Sequence, residues 1–449
     1  MPREKSSAYV CSSCGHDEPK WMGRCPSCGE WNTFKEIKGV SALAASLAVP
    51  PPARQLLADT DPTPPERFPT GIAELDRVLG GGLSPGTAIL LGGEPGIGKS
   101  TLMLQVAASL PGTGLYVSGE ESPGQLKTRA DRLKLKQDSL EILCETDLDT
   151  LIAILNQKVP AYLVVDSIQT LVSAEAGSIP GTPNQLKIVG HRLTSWAKGH
   201  GVPLFLIAHV TKEGIIAGPK VIEHLADTVL YFDHSSTDLR ILRASKNRLG
   251  SVDEAGLFQM DAGGLKPIVN PAGFFLEHRK TGPPVGSAVA AVYEGSRILL
   301  VEIQALTVSA KGTGGRVYSD RIEAARISRI AAVLERHAGL RLSDQDIYIN
   351  VAGGLRICDT GAELAAALAL VSARSEKALP ANLAVFGEIS LAGEIRAVPH
   401  MRRRAKTAVD SGLKNWISAE SGDDKEKFPG MGYRTSLIKE AAAWVLSRS

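Results

Sequence analysis

One nonapeptide constrains this chain more than any other stretch. Gly93-Glu94-Pro95-Gly96-Ile97-Gly98-Lys99-Ser100-Thr101 fits G-x-x-x-x-G-K-[ST], a loop whose glycines let backbone N–H groups curl around phosphate oxygens. The motif needs a strand before it and a helix after it. Thr87-Ala88-Ile89-Leu90-Leu91 reads as a buried strand, and Leu102-Met103-Leu104-Gln105-Val106-Ala107 reads as a helix start. That helix N-terminus adds partial positive charge at the loop. Residues 93–101 are therefore expected to cradle the phosphates of ATP, with Lys99 on the β and γ phosphates and the Ser100 hydroxyl on Mg²⁺.

The chain is 449 residues long and 43% hydrophobic, enough for two or three domains with full cores. Its formal net charge of +2 neither suggests nor excludes a nucleic-acid partner, so any DNA contact must come from local patches. No apolar run approaches the roughly 18 residues of a membrane span. Met1-Pro2-Arg3-Glu4-Lys5 opens no apolar signal segment, and a cytoplasmic protein without a membrane partner is expected.

Four of the six cysteines crowd into the first thirty residues as Cys11-Ser12-Ser13-Cys14 and Cys25-Pro26-Ser27-Cys28. Each C-x-x-C pair presents two thiolates, and the two pairs together fill a closed tetrahedral zinc site. A redox dithiol or two disulfides are the alternatives. Trp21, Trp31 and Phe34 are expected to cover this module, which is too small to fold without its metal. Cys144 and Cys358 stand alone and read as ordinary buried cysteines. Residues 40–66, rich in Ala, Ser and Pro, read as a linker.

Beyond the loop, strands and helices alternate. Leu115-Tyr116-Val117-Ser118 reads as a strand running into Gly119-Glu120-Glu121. Ala161-Tyr162-Leu163-Val164-Val165-Asp166 is an apolar strand ending in aspartate, and Pro203-Leu204-Phe205-Leu206-Ile207-Ala208 is one ending in His209. Polar residues at such strand ends lie on the side where parallel sheets bind ligands. Ala174 to Lys187, with Gly177, Pro180, Gly181 and Pro183, reads as a long mobile loop. Leu239-Arg240-Ile241-Leu242-Arg243 reads as a late strand leading into Ser245-Lys246-Asn247-Arg248-Leu249-Gly250. On an extended segment Lys246 and Arg248 share a face.

The passage Thr70 to Leu83, joined to Gly92–Thr101, closely resembles the RecA-like ATPase core. With the four-cysteine module in front and Lys246-Asn247-Arg248-Leu249-Gly250 behind, essentially the whole chain resembles the bacterial RadA (Sms) family of recombination and repair factors. The family's motif usually reads Lys-Asn-Arg-Phe-Gly, so Leu249 departs from it. The resemblance implies that Glu120 polarises the attacking water, with Glu121 as the alternative. It implies that Asp166 holds the Mg²⁺ water shell and that His209 senses the γ-phosphate. It also implies DNA-binding loops near residues 174–187, where Lys187 and Arg192 meet phosphate, and assigns Lys246 and Arg248 to a neighbouring subunit's nucleotide.

From about residue 286 the pattern changes. Ala288–Tyr293 and Ile298–Ile303 read as a hairpin, Ile327 to Ala338 as a helix, and Glu363 to Ser372 as a buried helix of small residues. This half resembles the Lon protease catalytic domain, whose Asp-Gly-Pro-Ser-Ala-Gly stretch matches Asp359-Thr360-Gly361-Ala362-Glu363-Leu364. Ala362 stands where the nucleophile belongs and Arg402 where the lysine base belongs, so no protease activity is expected. Arg396, His400, Arg402, Arg403, Arg404 and Lys406 remain as a local basic cluster, a candidate for phosphate contact.

The expected fold class is α/β, in five parts: a zinc module over 1–39, a linker over 40–66, a RecA-like ATPase domain over 67–270, a linker over 271–285 and an α+β Lon-like domain over 286–449. The resemblance implies a DNA-dependent ATPase with ATP, Mg²⁺ and Zn²⁺ as cofactors. Single-stranded DNA, recombination intermediates, recombinase or other repair proteins are the implied partners, and the implied assembly is a homo-hexameric ring. An ATP-driven protein remodeller of the Lon class and an ATP-clamped DNA adaptor are the rival readings.

Overall fold

A computed structural model describes residues 8–11, 16–18, 20–37, 66–177, 179–209, 221–234, 239–269, 271, 276, 283–312, 314–319, 321–420 and 428–448. Cys14, Val210–Gly214 and nearly all of the 40–66 linker lie outside the described residues. The chain divides into two compact units: Met1–Asp233 with Leu242–Val252 and Met260–Leu265, and His234–Ile241 with Asp253–Gln259 and Lys266–Ser449.

The first unit opens on three short antiparallel strands, β1 (Ala8–Cys11), β2 (Asp17–Glu18) and β3 (Phe34–Ile37), in the order β2-β1-β3. Its core is Cys11, Cys25 and Phe34, with Tyr9 packed alongside. Trp21 and Trp31, expected as cover, are 53% and 67% exposed. Among the described residues the interior is formed by two cysteines and one phenyl ring, and the Arg24 guanidinium lies 5.8 Å from the Trp31 ring on the outside.

The larger sheet is built on strand–helix alternation. In chain order come α1 (Ala73–Leu79), β4 (Ala88–Gly93), α2 (Lys99–Ser109), β5 (Gly114–Ser118), α3 (Pro123–Arg132), β6 (Leu140–Leu143), α4 (Leu148–Gln157), β7 (Leu163–Asp166), α5 (Pro183–His200), β8 (Leu204–His209), α6 (Val221–Leu225) and β9 (Thr228–His234). The strands run β9-β4-β8-β7-β5-β6 and pair in parallel. β4, β5 and β7 are buried along their whole length, as continuous apolar runs require when both faces of a parallel sheet are covered.

Several local expectations change: Cys144 and Cys358, read as buried, are exposed, since each lies outside the strands and helices of the cores. The loop after Ala174 ends at Pro183, which begins α5 with Thr182 as its cap, so Lys187 and Arg192 lie on a helix. Proline at the first helical position is preorganised for a helix start, and reading it as a loop residue misplaces the boundary. Arg192 is held by Asp149 at 2.5 Å. The late strand, β10 (Leu239–Asn247), runs four residues further than its apolar pattern and carries Lys246. β11 (Ala255–Asp261) and β12 (Gly264–Pro267) follow.

The second unit centres on β13 (Ser287–Glu294) and β14 (Arg297–Ser309), the expected hairpin, closed by Gly295 and Ser296. β15 (Val317–Ser319), α7 (Ala324–Ala338), β16 (Gln345–Val351), α8 (Glu363–Ser375), β17 (Leu383–Phe386), the two-residue strands β18 (Glu388–Ile389) and β19 (Ile395–Arg396), α9 (Met401–Asp410), β20 (Asn415–Ser418), β21 (Met431–Arg434) and α10 (Ile438–Leu446) complete it. Seven strands lie in the order β15-β16-β14-β13-β17-β20-β21, an α+β arrangement. Residues 363–372 of α8 are all buried, and the alanines among them let it pack close to β13 and β14.

Arg404, expected in a basic surface cluster, is fully buried instead. Its Nη1 donates to Asp359 Oδ2 at 2.6 Å and its Nη2 to Asp359 Oδ1 at 3.2 Å, while Nε donates to the Pro399 carbonyl at 3.0 Å. Its neighbours on α9 explain the error: Arg402, Arg403 and Lys406 are exposed, and only the helical period turns Arg404 inward. Breaking such a pair leaves a buried carboxylate alone, at a cost of ~3–5 kcal/mol. Arg404→Met is expected to move the urea transition reported by Trp416 fluorescence in the full chain to clearly lower denaturant. An unchanged midpoint would show that the pair contributes nothing net.

Candidate functional site

The glycine loop joins the end of β4 to the start of α2. Gly96 (φ +78°) and Gly98 (φ +115°) hold backbone conformations that side chains resist, and a Cβ on Gly98 would lie 2.6 Å from Met260 Cε. The helices α3, α4 and α5 are capped by Ser122, Asp147 and Thr182. α2 has no side-chain cap and no acidic residue in its first turn. Its leading N–H groups are thus left to a ligand, and the loop supplies the matching cation.

That cation is Lys99, 4% exposed. Its Nζ donates to the carbonyls of Gly93 at 2.8 Å and Glu94 at 2.9 Å, and lies 3.4 Å from His209 Nδ1. Burial lowers the lysine pKa, and the carboxylates of Asp166, Glu120 and Glu94 oppose that shift. Ser100 and Thr101 occupy the same first turn, half-buried.

β5, β7 and β8 end beside the loop. Asp166, last on β7, is 5% exposed. Its Oδ2 accepts from the Tyr116 hydroxyl at 2.6 Å, and its Oδ1 is buried without a hydrogen-bond partner among the described residues. An unpartnered buried carboxylate oxygen beside a phosphate loop fits a hydrated Mg²⁺. Glu120 Oε1 accepts from Ser167 Oγ at 2.7 Å and lies 3.1 Å from His209 Nε2. Burial alone would raise the Glu120 pKa, yet the hydrogen bonds from Ser167 and His209 hold it below its ordinary value. Glu121 turns the other way: its Oε1 pairs with Arg129, and burial raises its pKa against the pull of that arginine. His209, at the end of β8, bridges Lys99 and Glu120.

At the N-terminus, the sulfurs of Cys11, Cys25 and Cys28 lie within 4.8 Å of one another. Cys11 Sγ is 3.7 Å from Cys28 Sγ. A disulfide needs ~2.05 Å. The edge of a tetrahedron with ~2.3 Å Zn–S bonds is ~3.8 Å. Backbone bonds from Cys11 N to His16 O and from Cys25 N to Glu30 O, 2.8 Å each, fold the turns behind the sulfurs.

Three family models match the chain: a rubredoxin metal-binding domain over residues 9–36, an AAA domain over 52–214 and the ChlI subunit of Mg-chelatase over 319–421. The DNA repair protein RadA of Treponema pallidum is 51% identical over 418 residues, 92% of each chain. Those of Pseudomonas aeruginosa and Escherichia coli are 43% and 42% identical, over 94% and 96% of this chain and 95% and 96% of theirs. The chain belongs to the RadA family. Its fold class follows: a RecA-like ATPase domain of the AAA type, an N-terminal zinc ribbon and a C-terminal domain of the ChlI and Lon-protease type. Among the described residues no helix is long and apolar enough to cross a membrane.

The remaining motif of the RadA family lies elsewhere on the sheet. Lys246 Nζ donates to the carbonyls of Glu223, His224 and Ala226 at 2.9, 3.1 and 2.7 Å, capping the end of α6. Burial and the neighbouring Arg248 lower its pKa. Arg248 lies just past β10, 57% exposed, with Nη1 3.5 Å from Asp227 Oδ1. Asp227 in turn accepts from Ala88 N at 3.1 Å and Lys198 Nζ at 3.0 Å. Ala88 begins β4 and Gly93 ends it, so Lys246 and Arg248 gather at the opposite end of that strand from the phosphate loop, ~17 Å away at ~3.3 Å per residue. Leu249 N donates to Asn247 Oδ1 at 3.0 Å, and Leu249 O accepts from Arg67, contacts that need no aromatic ring.

In the second unit Ala362 is 2% exposed in the turn that leads into α8, and Arg402 is exposed on α9. Sequence reasoning missed Tyr116, Ser167 and Arg129. The only written signal for Ser167 is its place directly after Asp166. The partners of Tyr116 and Arg129 emerge from strand pairing and helix placement.

Zinc is expected at one ion per chain in freshly purified, reduced protein, by metal analysis. Cys28→Ala should lose it and leave nucleotide binding intact. Protein with an ordered N-terminal module and no bound metal would refute the site.

Proposed function

We propose that the chain is a Mg²⁺-dependent ATPase that works as a homo-hexameric ring on single-stranded DNA, promoting branch migration or unwinding of recombination intermediates. The reading of ATP chemistry is supported by the convergence of Lys99, Asp166, Glu120 and His209 at one sheet edge. Residues Gly93 to Thr101 would wrap the phosphates, Lys99 would exchange its two carbonyl partners for phosphate oxygens, and Ser100 and Asp166 would hold the metal and its water shell. Mg²⁺, when bound, neutralises charge on the β and γ phosphates. Glu120, kept ionised by its hydrogen bonds, takes a proton from the attacking water, and His209 reports the γ-phosphate to the segment that follows β8.

One observation carries the ring. The two cations of the family motif stand ~17 Å along β4 from their own phosphate loop, too far to stabilise charge there, and Arg248 is more than half exposed. An adjacent subunit's nucleotide is the target they suit, with Arg248 making the contact and Lys246 fixing the segment. The domain limits 1–39, 67–270 and 286–449 are proposed as the functional parts. The last is a platform without peptidase chemistry, since Ala362 lacks a nucleophile and an arginine side chain, at position 402, does not serve as a general base.

The test is steady-state ATPase activity with single-stranded DNA, with an unfolded protein and with neither. Single-stranded DNA is expected to raise turnover, and stimulation by unfolded protein alone would favour the remodelling reading. Lys99→Ala should abolish turnover. Arg248→Ala should bind ATP normally and hydrolyse it at least ~10³-fold more slowly, as an arginine finger in trans requires. Mixing the two inactive variants should restore part of the activity. No recovery at any ratio, in mixtures that co-assemble, would contradict the shared site.

A further inference from the structure

The Asp166 carboxylate is asymmetric. Its two oxygens share one buried environment but have different fates: Oδ2 accepts from Tyr116 at 2.6 Å, and Oδ1 has no partner among the described residues. We propose that Tyr116 is a positioning residue for the metal carboxylate: its hydroxyl holds Oδ2 and so fixes Oδ1 on the water shell of nucleotide-bound Mg²⁺. This rests on reading Asp166 as the Mg²⁺ carboxylate.

The fold leaves Tyr116 little else to do. It sits in the middle of β5, fully buried, and β5 pairs with β7 so that Ser118 faces Asp166 and Tyr116 faces Val164. The ring therefore lies two residues back along the sheet from the carboxylate, and the phenol reaches forward to it. The other fully buried tyrosine of this unit, Tyr162, makes the contrast: its hydroxyl goes to the Ala107 carbonyl on α2, a contact between scaffold elements. Tyr116 alone spends its hydroxyl on a carboxylate at the site.

The carboxylate torsion of aspartate is broad and two-fold, and an untethered Asp166 would exchange its oxygens and tilt. A tether on one oxygen removes that freedom before the metal arrives. Partners that orient metal-binding groups this way change metal affinity ~10–100-fold when removed.

The experiment follows binding of a fluorescent non-hydrolysable ATP analogue to the full chain, once in EDTA and once across a MgCl₂ titration. Tyr116→Phe keeps the ring and removes the hydroxyl. Its affinity in EDTA is expected to match the unsubstituted protein, while the Mg²⁺ concentration for half-maximal tightening rises roughly tenfold. Asp166→Asn should raise that requirement at least as far, and Tyr116→Phe with Asp166→Asn should add nothing to Asp166→Asn alone. Tyr116→Met, also without a donor, goes through the same titration should the phenylalanine variant not fold. An unmoved Mg²⁺ requirement in Tyr116→Phe, even with a lower melting temperature, makes the tyrosine a packing residue and overturns the proposal. Additive effects in the double variant overturn it as well. An unmoved requirement in Asp166→Asn removes the reading of Asp166 on which the proposal stands.

Discussion

Parallel pairing makes the central strands of the larger sheet release their last residues at one edge. β4 ends in the phosphate loop, β5 runs into Glu120, β7 ends in Asp166 and β8 in His209. Each of these strands is largely apolar and buried up to that point, so the charged side chains gather at the strand ends, the side where parallel sheets bind ligands. The same edge holds a buried lysine, and two loop carbonyls and the His209 ring satisfy Lys99 there.

The same edge shows how the two glutamates are told apart. They are adjacent in the bend that follows β5, and they turn to different partners. Glu120 meets Ser167, directly after β7, and His209, the last residue of β8. Glu121 meets Arg129 on α3 and closes the back of the turn. Sequence proximity leaves the pair equivalent, and the hydrogen bonds separate them.

Much of this was legible in the chain because strand ends, glycine loops and cysteine pairs are local signals. Gly93 to Thr101, Asp166 and His209 announce themselves by what lies within a few residues. Tyr116 and Ser167 do not, because their partners are fixed by which strand lies beside which. Pro183 was misread because proline opens a helix as readily as it sits in a loop, and only the Thr182 cap decides. Arg404 was misread because a run of three arginines looks like one surface, while a helix turns one of them inward. At the head of α8 the buried Arg404 pairs with Asp359 and the half-exposed Arg329 pairs with the buried Glu363, each at 2.6 Å. They fasten the turn that leads into α8, with Ala362 between Asp359 and Glu363 in sequence.

The division of labour at the strand ends is the central claim, and single-turnover hydrolysis tests it most directly. Protein preloaded with Mg²⁺ and ATP is followed by quench-flow for Glu120→Gln and Glu121→Gln. Glu120→Gln is expected to hold ATP intact, with hydrolysis slowed ~10²–10⁴-fold as loss of a general base requires, and Glu121→Gln to stay within a few-fold of the unsubstituted protein. Rapid hydrolysis by Glu120→Gln together with a stalled Glu121→Gln would contradict the account.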